Sequence, residues 1–572
     1  MQPVRERRWN LAESDENKVQ RLVEESALPR LLCRILLNRG IDTAEAASRF
    51  LSSSLAEMHD PFLLKDMDKA VLRLCRALLD GEKICVYGDY DVDGVTSVVS
   101  LVGFLSALDG NCFYYIPKRI EEGYGLNAGG IREVAERGAR IIITADCGIT
   151  SHEEANLCAA LGIDLIITDH HTPPPDIPCA YAVINPLRSD CAFPFKSLAG
   201  VGVVFNLLLA LRKYLREAGY FASRKEPNLR EFLDLVALGT IADIVPLVDE
   251  NRILVRHGLK ELSVSSRTGI SALKSVAGVS GEVDCGMVGF RLAPRINAAG
   301  RLDDAALGVE LLLTGDARRA AEVSAELNDN NEDRQHLEKV ILEDALQRLA
   351  ADPSFRGRTS IVMASESWHA GVIGIVASRL VELFHRPTIL VALQDGVGKG
   401  SGRSIPGFHL YDALQSCSDQ LLGFGGHKYA AGLSLNEEAF SGFAEKFDRH
   451  AAGLLTEEDL LPELRIDAEI LPEDVSLETA ELISSLEPFG MGNPRPLFVM
   501  RGVQALDTRI LKERHLKTRF RRDRFCFDAI GFDMADRLPD SVDMDIVFSL
   551  DVNSWNGRKS VQLRLKDLKA IT

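Results

Sequence analysis

The chain has 572 residues, too many for one hydrophobic core, so three or four domains are expected. Hydrophobic residues make up 46% and mean hydropathy is zero; no apolar run approaches the ~20 residues of a membrane-spanning helix, so a soluble globular protein without a membrane role is expected. The net charge of −17 argues against unspecific nucleic-acid binding while leaving room for a local basic track.

The first residues, Met1-Gln2-Pro3-Val4-Arg5-Glu6-Arg7-Arg8, lack the apolar stretch of a secretory signal. Eleven cysteines are scattered without a CxxC pair, so neither a zinc ribbon nor a disulfide framework is expected. Cys85 and Cys147 read as buried thiols, and a reducing, cytoplasmic setting fits. Residues 1–60 read as a helical segment without obvious chemistry. Residues 61–315 then show the alternation of short apolar strands and helices that builds parallel βα units. Three of the strands end in acids: Lys83–Gly88 before Asp89-Tyr90-Asp91-Val92-Asp93-Gly94, Ile141–Ala145 before Asp146, and Leu165–Thr168 before Asp169-His170-His171. Residues 231–241 read as a helix running into Ala242-Asp243.

Residues 316–354 suggest a helical connector of one or two long helices, with Leu337, Val340, Ile341, Ala345, Leu346 and Leu349 at helical spacing. A second, smaller α/β unit follows over 355–456, with strands at Thr359–Met363 and Pro387–Leu393 around a helix from about Gly371 to Phe384. From 457 to 572 short alternating strands, such as Phe525–Phe532, Asp545–Leu550 and Ser560–Leu565, suggest an antiparallel barrel. Residues 509–524 carry eight Lys/Arg against two acids, interrupted by Leu511, Leu516 and Phe520. This is the local basic track, or an exposed strand pair with solvated charges. The expected fold class is multidomain α/β with a C-terminal β-barrel.

Parallel sheets bind ligands beyond the carboxyl ends of their strands, where Asp89, Asp91, Asp93, Asp146 and the histidine pair fall. So many carboxylates repel one another unless cations neutralise them. An EF-hand is excluded, because the twelfth position of the loop, counting Asp89 as the first, is Ser100 rather than Glu and a strand precedes the motif. Oxygen ligands with one or two imidazoles suit Mn²⁺ or Mg²⁺. Such a site can hold two ions, with Asp146 well placed to bridge them. His170 and His171, adjacent on an extended segment, are expected to point in opposite directions and do different work. Asp243 is a further candidate ligand, or a helix-terminal acid. Gly400-Ser401-Gly402-Arg403 offers backbone N–H groups and directed donors to an anion, without the order of a Walker loop, or is a flexible turn. Asn297 and Arg301 either hydrogen-bond phosphate oxygens or tie a loop to the first domain. His369 reads as structural.

Asp89-x-Asp91-x-Asp93, Asp146, Asp169-His170-His171 and Asp243 together resemble the four motifs of the DHH phosphoesterase superfamily. Ile116-Pro117-Lys118-Arg119 with Glu122-Gly123-Tyr124-Gly125, Pro294–Arg301, Gly400–Ser404, Gly425-Gly426-His427 and Glu487–Pro494 extend the resemblance to its RecJ branch over nearly the whole chain. The resemblance implies a single-stranded-DNA-specific 5′→3′ exonuclease releasing 5′-mononucleotides in repair and recombination. It implies metal ligands at Asp89, Asp91, Asp93, Asp146, His170 and Asp243, with Asp146 and His171 catalytic. It further implies phosphate contacts at Arg119, Asn297, Arg301, Ser401, Arg403 and His427. An OB-like barrel would bind single strands through Arg519, Phe520, Arg521 and Arg522. Single-strand-binding protein and a RecQ-type helicase are the implied partners, and a monomer is the default. The alternatives are a DHH phosphatase acting on short oligoribonucleotides or cyclic dinucleotides, a soluble pyrophosphatase, and a non-catalytic scaffold. The chain's length weighs against the first, the second needs no barrel or connector, and the intact acids and histidines weigh against the third.

Overall fold

The computed structural model describes every residue except 2, 3, 5, 119–121, 124, 303, 538–542, 556, 557 and 572, and leaves aside the side chains of 302, 554, 555 and 558. A short strand, β1 (Arg8–Leu11), and four α-helices precede the first sheet. That sheet contains β2 (Ile84–Gly88), β3 (Cys112–Tyr115), β4 (Ile141–Ala145), β5 (Asp164–Thr168) and β6 (Ala182–Ile184). All are parallel, in the order β3-β2-β4-β5-β6. β2 and β4 are buried along their whole length because helices cover both faces, hence their unbroken apolar runs. The strand order reverses between β2 and β4. Their carboxyl ends, bearing Asp89 and Asp146, therefore flank the crevice where doubly wound sheets bind ligands.

One helix, Ala317–Ala351, fills the connector. Its 35 residues extend about 52 Å at ~1.5 Å per residue. Ala320, Val323 and Leu327 lie in the core of the first domain, while Ile341, Ala345 and Leu349 share a core with Val376, Ala377 and Leu380 of the helix Ile373–Phe384. A single rod thus sets the spacing of the two domains. The second sheet runs β10-β11-β9-β8-β7, built from β7 (Ile361–Ser365), β8 (Thr388–Gln394), β9 (Val397–Arg403), β10 (Gly423–Gly426) and β11 (Ala430–Asn436).

The remaining strands are β12 (Glu463–Ile466), β13 (Ala468–Glu469), β14 (Phe498–Leu511), β15 (His515–Arg522), β16 (Phe525–Gly531), β17 (Asp543–Trp555) and β18 (Arg558–Ala570). β14, β15, β16, β18 and β17 close into a barrel of OB type through the β14–β17 pairing. β17 and β18 outrun the short strands expected, because their distal halves continue as a hairpin pairing Asp551 with Gln562 and Asn553 with Ser560. The N-terminal segment packs onto this barrel. β1 pairs in parallel with β12, and Val19, Leu22, Leu32, Ile35 and Leu36 share a core with Phe498, Met500 and Phe548.

Phe520 corrects the expectation of a stacking residue. Leu516, Thr518 and Phe520 point into the barrel and are buried, while Lys517, Arg519 and Arg521 alternate outward. An aromatic ring filling the core offers no face to a base. All eleven cysteines are free thiols, and among the described residues no helix is long and apolar enough to cross a membrane. Phe520→Ala is expected to lower the stability of the barrel by about 3–5 kcal/mol in urea unfolding. Arg519→Ala should change it by no more than about 0.5 kcal/mol. Small, equal losses for both would return Phe520 to the surface.

Candidate active site

Asp91 caps the helix Val92–Ala107, its Oδ1 accepting the Gly94 N–H at 3.0 Å. Gly94 lets the turn fold back onto β2, since a Cβ there would lie 2.6 Å from the Asp89 carbonyl oxygen. Asp93 is fully buried and accepts the N–H groups of Gly200 (2.6 Å) and Val201 (2.8 Å) at the start of the helix Gly200–Glu217. The positive end of that helix thus holds the carboxylate in place. A Cβ at Gly200 would strike Asp146 Oδ1 at 2.6 Å, so glycine is what admits Asp146 to the cluster.

Asp146 follows β4 in a left-handed conformation, φ +66°. Its Oδ1 lies 3.2 Å from His170 Nε2, which also stands 3.5 Å from Asp243 Oδ2 and 3.9 Å from Asp93 Oδ2. Potential ligand atoms group as Asp146 with His170 and His171, Asp93 with His170 and Asp243, and Asp89 with Asp91 and Asp146, all mutually within 4.8 Å in each group. All six expected metal ligands therefore converge. Asp146 and His170 each belong to two of the groups.

Asp169 has a separate task. Its Oδ2 accepts the Ile149 N–H, while its Oδ1 accepts the backbone N–H groups of His170 and His171 and sits 2.7 Å from His171 Nδ1. This wraps the backbone into a turn. The two imidazoles consequently do not point apart, as an extended segment would dictate, but lie 4.6 Å apart between centroids. Their roles differ because of their partners rather than their directions. Burial, then the His171 charge, depresses His170 to about 4, leaving a neutral ring suited to a metal. For His171 burial opposes the charge, but the bond and charge of Asp169, with Asp243 and Asp89, push it up to about 9. Asp169 was legible only as part of the Asp-His-His run; its orienting role emerges from these bonds.

In the second domain, Ser401 and Arg403 close β9 against the start of the helix Ile373–Phe384. Gly374 makes room for both, since a Cβ there would lie 2.7 Å from Ser401 Oγ and 3.0 Å from Arg403 Nη2. Arg403 Nη1 donates to Ser401 Oγ at 3.2 Å. Asn297 and Arg301 stand one turn apart on the helix Ala293–Leu302, a segment that is helical with Ile296, Ala298 and Ala299 in the core. Asn297 Oδ1 accepts the Val92 N–H at 3.1 Å, and Arg301 Nη1 donates to the Gly371 carbonyl at 3.1 Å. Asn297 thus ties its helix to another helix of the first domain and Arg301 ties it to the second domain, and both face a cavity of about 310 Å³ shared with Asp89, Tyr90, Asp91, His171 and Ala242. His427, on the turn after β10, is exposed and near enough for its charge to act on His170. Arg119 lies outside the described residues.

Sequence reasoning missed an apolar cleft of about 630 Å³ that shares Ala242, Asn297 and Arg301 with the polar cavity. Ile244, Phe290 and Met491 line it and are 69%, 81% and 54% exposed. It is assembled from segments remote in sequence, so no local pattern announces it. On the barrel, Arg521 and Arg522 line a further cavity of about 730 Å³ with Arg501, Gln504 and Asp545, whereas Arg519 pairs with Asp528 at 3.1 Å.

Burial, and after it the charges of Asp93, Asp91, Asp243 and Asp89, raise Asp146 well above the usual carboxylate range. Burial and neighbouring acids raise Asp93 and Asp243 as well. This donor set of carboxylates and one neutral imidazole fits Mn²⁺ or Mg²⁺, whose charge lets the acids ionise together. Groups with raised folded-state pKa values bind more protons folded than unfolded. The apoprotein therefore loses stability as pH rises through those values, and a bound cation cancels the loss. The rise in melting temperature on adding Mn²⁺ should grow from about pH 5 to about pH 8, as read by scanning calorimetry. A shift independent of pH would contradict the coupled acids.

Comparison with known proteins covers most of the chain. Residues 83–240 match the DHH family N-terminal domain, 358–453 the DHHA1 domain and 466–567 the RecJ OB domain. The single-stranded-DNA-specific exonuclease RecJ of Bacillus subtilis (strain 168) is 39% identical over 568 residues, spanning 98% of this chain and 70% of that protein. The Escherichia coli (strain K12) protein of the same name is 39% identical over 573 residues, spanning 96% of this chain and 98% of its own. The crystal structure of RecJ in complex with Mn²⁺ from Thermus thermophilus superposes with TM-score 0.84 at 33% identity, covering 99% of this chain and 80% of that one.

Proposed function

This chain belongs to the RecJ family of single-stranded-DNA-specific exonucleases, and from that premise we infer that it hydrolyses single-stranded DNA from the 5′ end. The observation that carries this reading is the convergence of six metal-ligating side chains at the switch point of the sheet, beside a cavity that Asn297 and Arg301 also line. We assign hydrolysis to residues 61–315, closure by the connector 316–354, phosphate capture to 355–456, and strand binding to 457–572 with the segment 1–60 packed against it. Mn²⁺ or Mg²⁺ ions held by Asp89, Asp91, Asp93, Asp146, His170 and Asp243 supply Lewis acidity toward water and the phosphoryl group.

The chain's own residues do the rest. Ser401, Arg403, Asn297 and Arg301, with Arg119 and His427, receive the terminal 5′ phosphate, and only one end of a strand can fill such a pocket. His171 keeps its Nδ1 on Asp169, which leaves Nε2–H to donate to the scissile phosphate. The Asp169 bond and charge favour the protonated ring, which can pass its proton to the departing 3′ oxygen. Water adds to phosphorus, the P–O3′ bond breaks, and the shortened strand keeps a new 5′ phosphate for the next cycle. The apolar cleft beside the pocket suits unpaired bases, whose faces are free to stack on Phe290 and Met491. Bases within a duplex have their faces covered by the neighbouring stacked pairs, which supports the preference for single strands.

Single-stranded DNA is the partner that follows directly from this family. Single-strand-binding protein and a RecQ-type helicase, a monomeric state and a cytoplasmic location are further proposals on the same family relation.

Single strands labelled separately at each end, with Mn²⁺ or Mg²⁺ and a duplex control, test the reading. Early release of the 5′ label as a mononucleotide with duplex spared is expected; loss from the 3′ end would undo the phosphate pocket. Asp146→Ala should abolish cleavage with the fold intact by circular dichroism, and retained turnover would remove it from the metal site. Phe290→Ala should raise KM for long strands roughly tenfold, given ~1–3 kcal/mol per stacked base, with kcat unchanged.

A further inference from the structure

The segment Glu487-Pro488-Phe489-Gly490-Met491-Gly492-Asn493-Pro494 lends Met491 to the apolar cleft but holds no metal or phosphate, yet it is tied down from several sides. Asn493 is fully buried. Its Nδ2 donates to the carbonyls of Leu486 and Pro488, both at 2.8 Å, and its Oδ1 accepts from Arg39 Nε at 2.8 Å. Gly490 and Asn493 exchange backbone hydrogen bonds of 3.0 and 3.2 Å. Arg252, only 1% exposed, donates to the carbonyls of Leu486 (2.8 Å) and Glu487 (2.9 Å) and lies 3.8 Å from the centre of the Phe50 ring.

The surface this loop presses against is the turn that carries Asp243. The helix Leu233–Ala242 ends there, and Ile244 adopts φ +61°, a conformation that a β-branched residue rarely takes. The Ile244 side chain is 69% exposed, so its own packing does not hold the turn. The opposing loop does. The Met491 carbonyl accepts the Leu247 N–H at 2.7 Å. A Cβ on Gly490 would lie 2.6 Å from Leu247 Cδ1, and one on Gly492, itself at φ +73°, would lie 3.2 Å from both Pro246 Cβ and Val248 Cγ1. Strained backbone persists only where its surroundings over-determine it.

We propose that the loop Leu486–Pro494 is a brace that positions Asp243 for the metal, and that Gly492 and Asn493 are positioning residues for that ligand although neither faces the site. The brace rests on the metal-site reading given above. It also connects the segment entering β14 of the barrel to the metal ligand that sits at a helix end. A ligand whose supporting groups shift binds its ion less tightly without losing its chemistry.

The test is Mn²⁺ titration of the full-length apoprotein by isothermal calorimetry, comparing wild type with Gly492→Ala and Gly219→Ala. Gly219 shares the left-handed backbone, at φ +75°, but a methyl group there would meet nothing within 4 Å. Gly492→Ala should weaken Mn²⁺ binding about tenfold, the lower end of what loss of ligand support causes, with Gly219→Ala unchanged. Its KM for DNA should hold, and turnover should recover at saturating Mn²⁺. If Gly492→Ala does not fold, Gly490→Ala pushes the same turn through the flexible end of Leu247 and carries the comparison. Wild-type Mn²⁺ affinity in the folded variant overturns the brace. Failure of the wild type itself to bind Mn²⁺ overturns the metal-site reading instead.

Discussion

Asp89, Asp93, Asp146 and Asp169 are all buried at one edge of a parallel sheet, and the repulsion among them governs how this region is built. Two solutions operate side by side. Asp169 is satisfied within the protein, by three backbone N–H groups and the His171 ring, and burial notwithstanding its pKa falls below the usual range. Asp93 and Asp146 are handled differently: helix-end N–H groups hold Asp93, but burial and neighbouring acids keep both reluctant to ionise. The first solution fixes geometry and the second reserves affinity for divalent cations. Gly94 and Gly200 serve both, because side chains at either position would push the carboxylates apart.

The second constraint is one of distance. A cluster that binds metal is not yet a nuclease; it needs a site for the strand end at a fixed reach. The helix Ala317–Ala351 supplies that reach by contributing to two cores, and Arg301 fastens the near domain to the Gly371 carbonyl ahead of the second domain's helix. The pocket between them is polar on the side of His171 and Arg301 and apolar on the side of Phe290 and Met491. That division matches a single strand, whose phosphates and bases are separately exposed.

Much of this was legible in the sequence, for a physical reason. Ligands of a parallel sheet fall just after its strands, so Asp89, Asp91, Asp93, Asp146 and His170 sit in local patterns that alternate predictably with apolar runs. What escaped were properties that depend on the third dimension. The extended-chain rule set His170 and His171 back to back, whereas Asp169 gathers the backbone and brings their rings together. Phe520 stood among arginines and looked like a surface aromatic, but strand alternation turns it inward. The packing of the first helices onto a barrel more than four hundred residues away has no local signature at all. Nor has the apolar cleft, whose lining comes from residues 241 to 491.

The most direct test of the central claim is anomalous diffraction at the manganese edge from crystals grown with Mn²⁺. Two anomalous peaks within the cluster, with Asp146 between them, His170 on one and the Asp169–His171 pair outside both coordination spheres, are the expected result. A single peak elsewhere, or His171 ligating an ion in place of His170, would contradict the account.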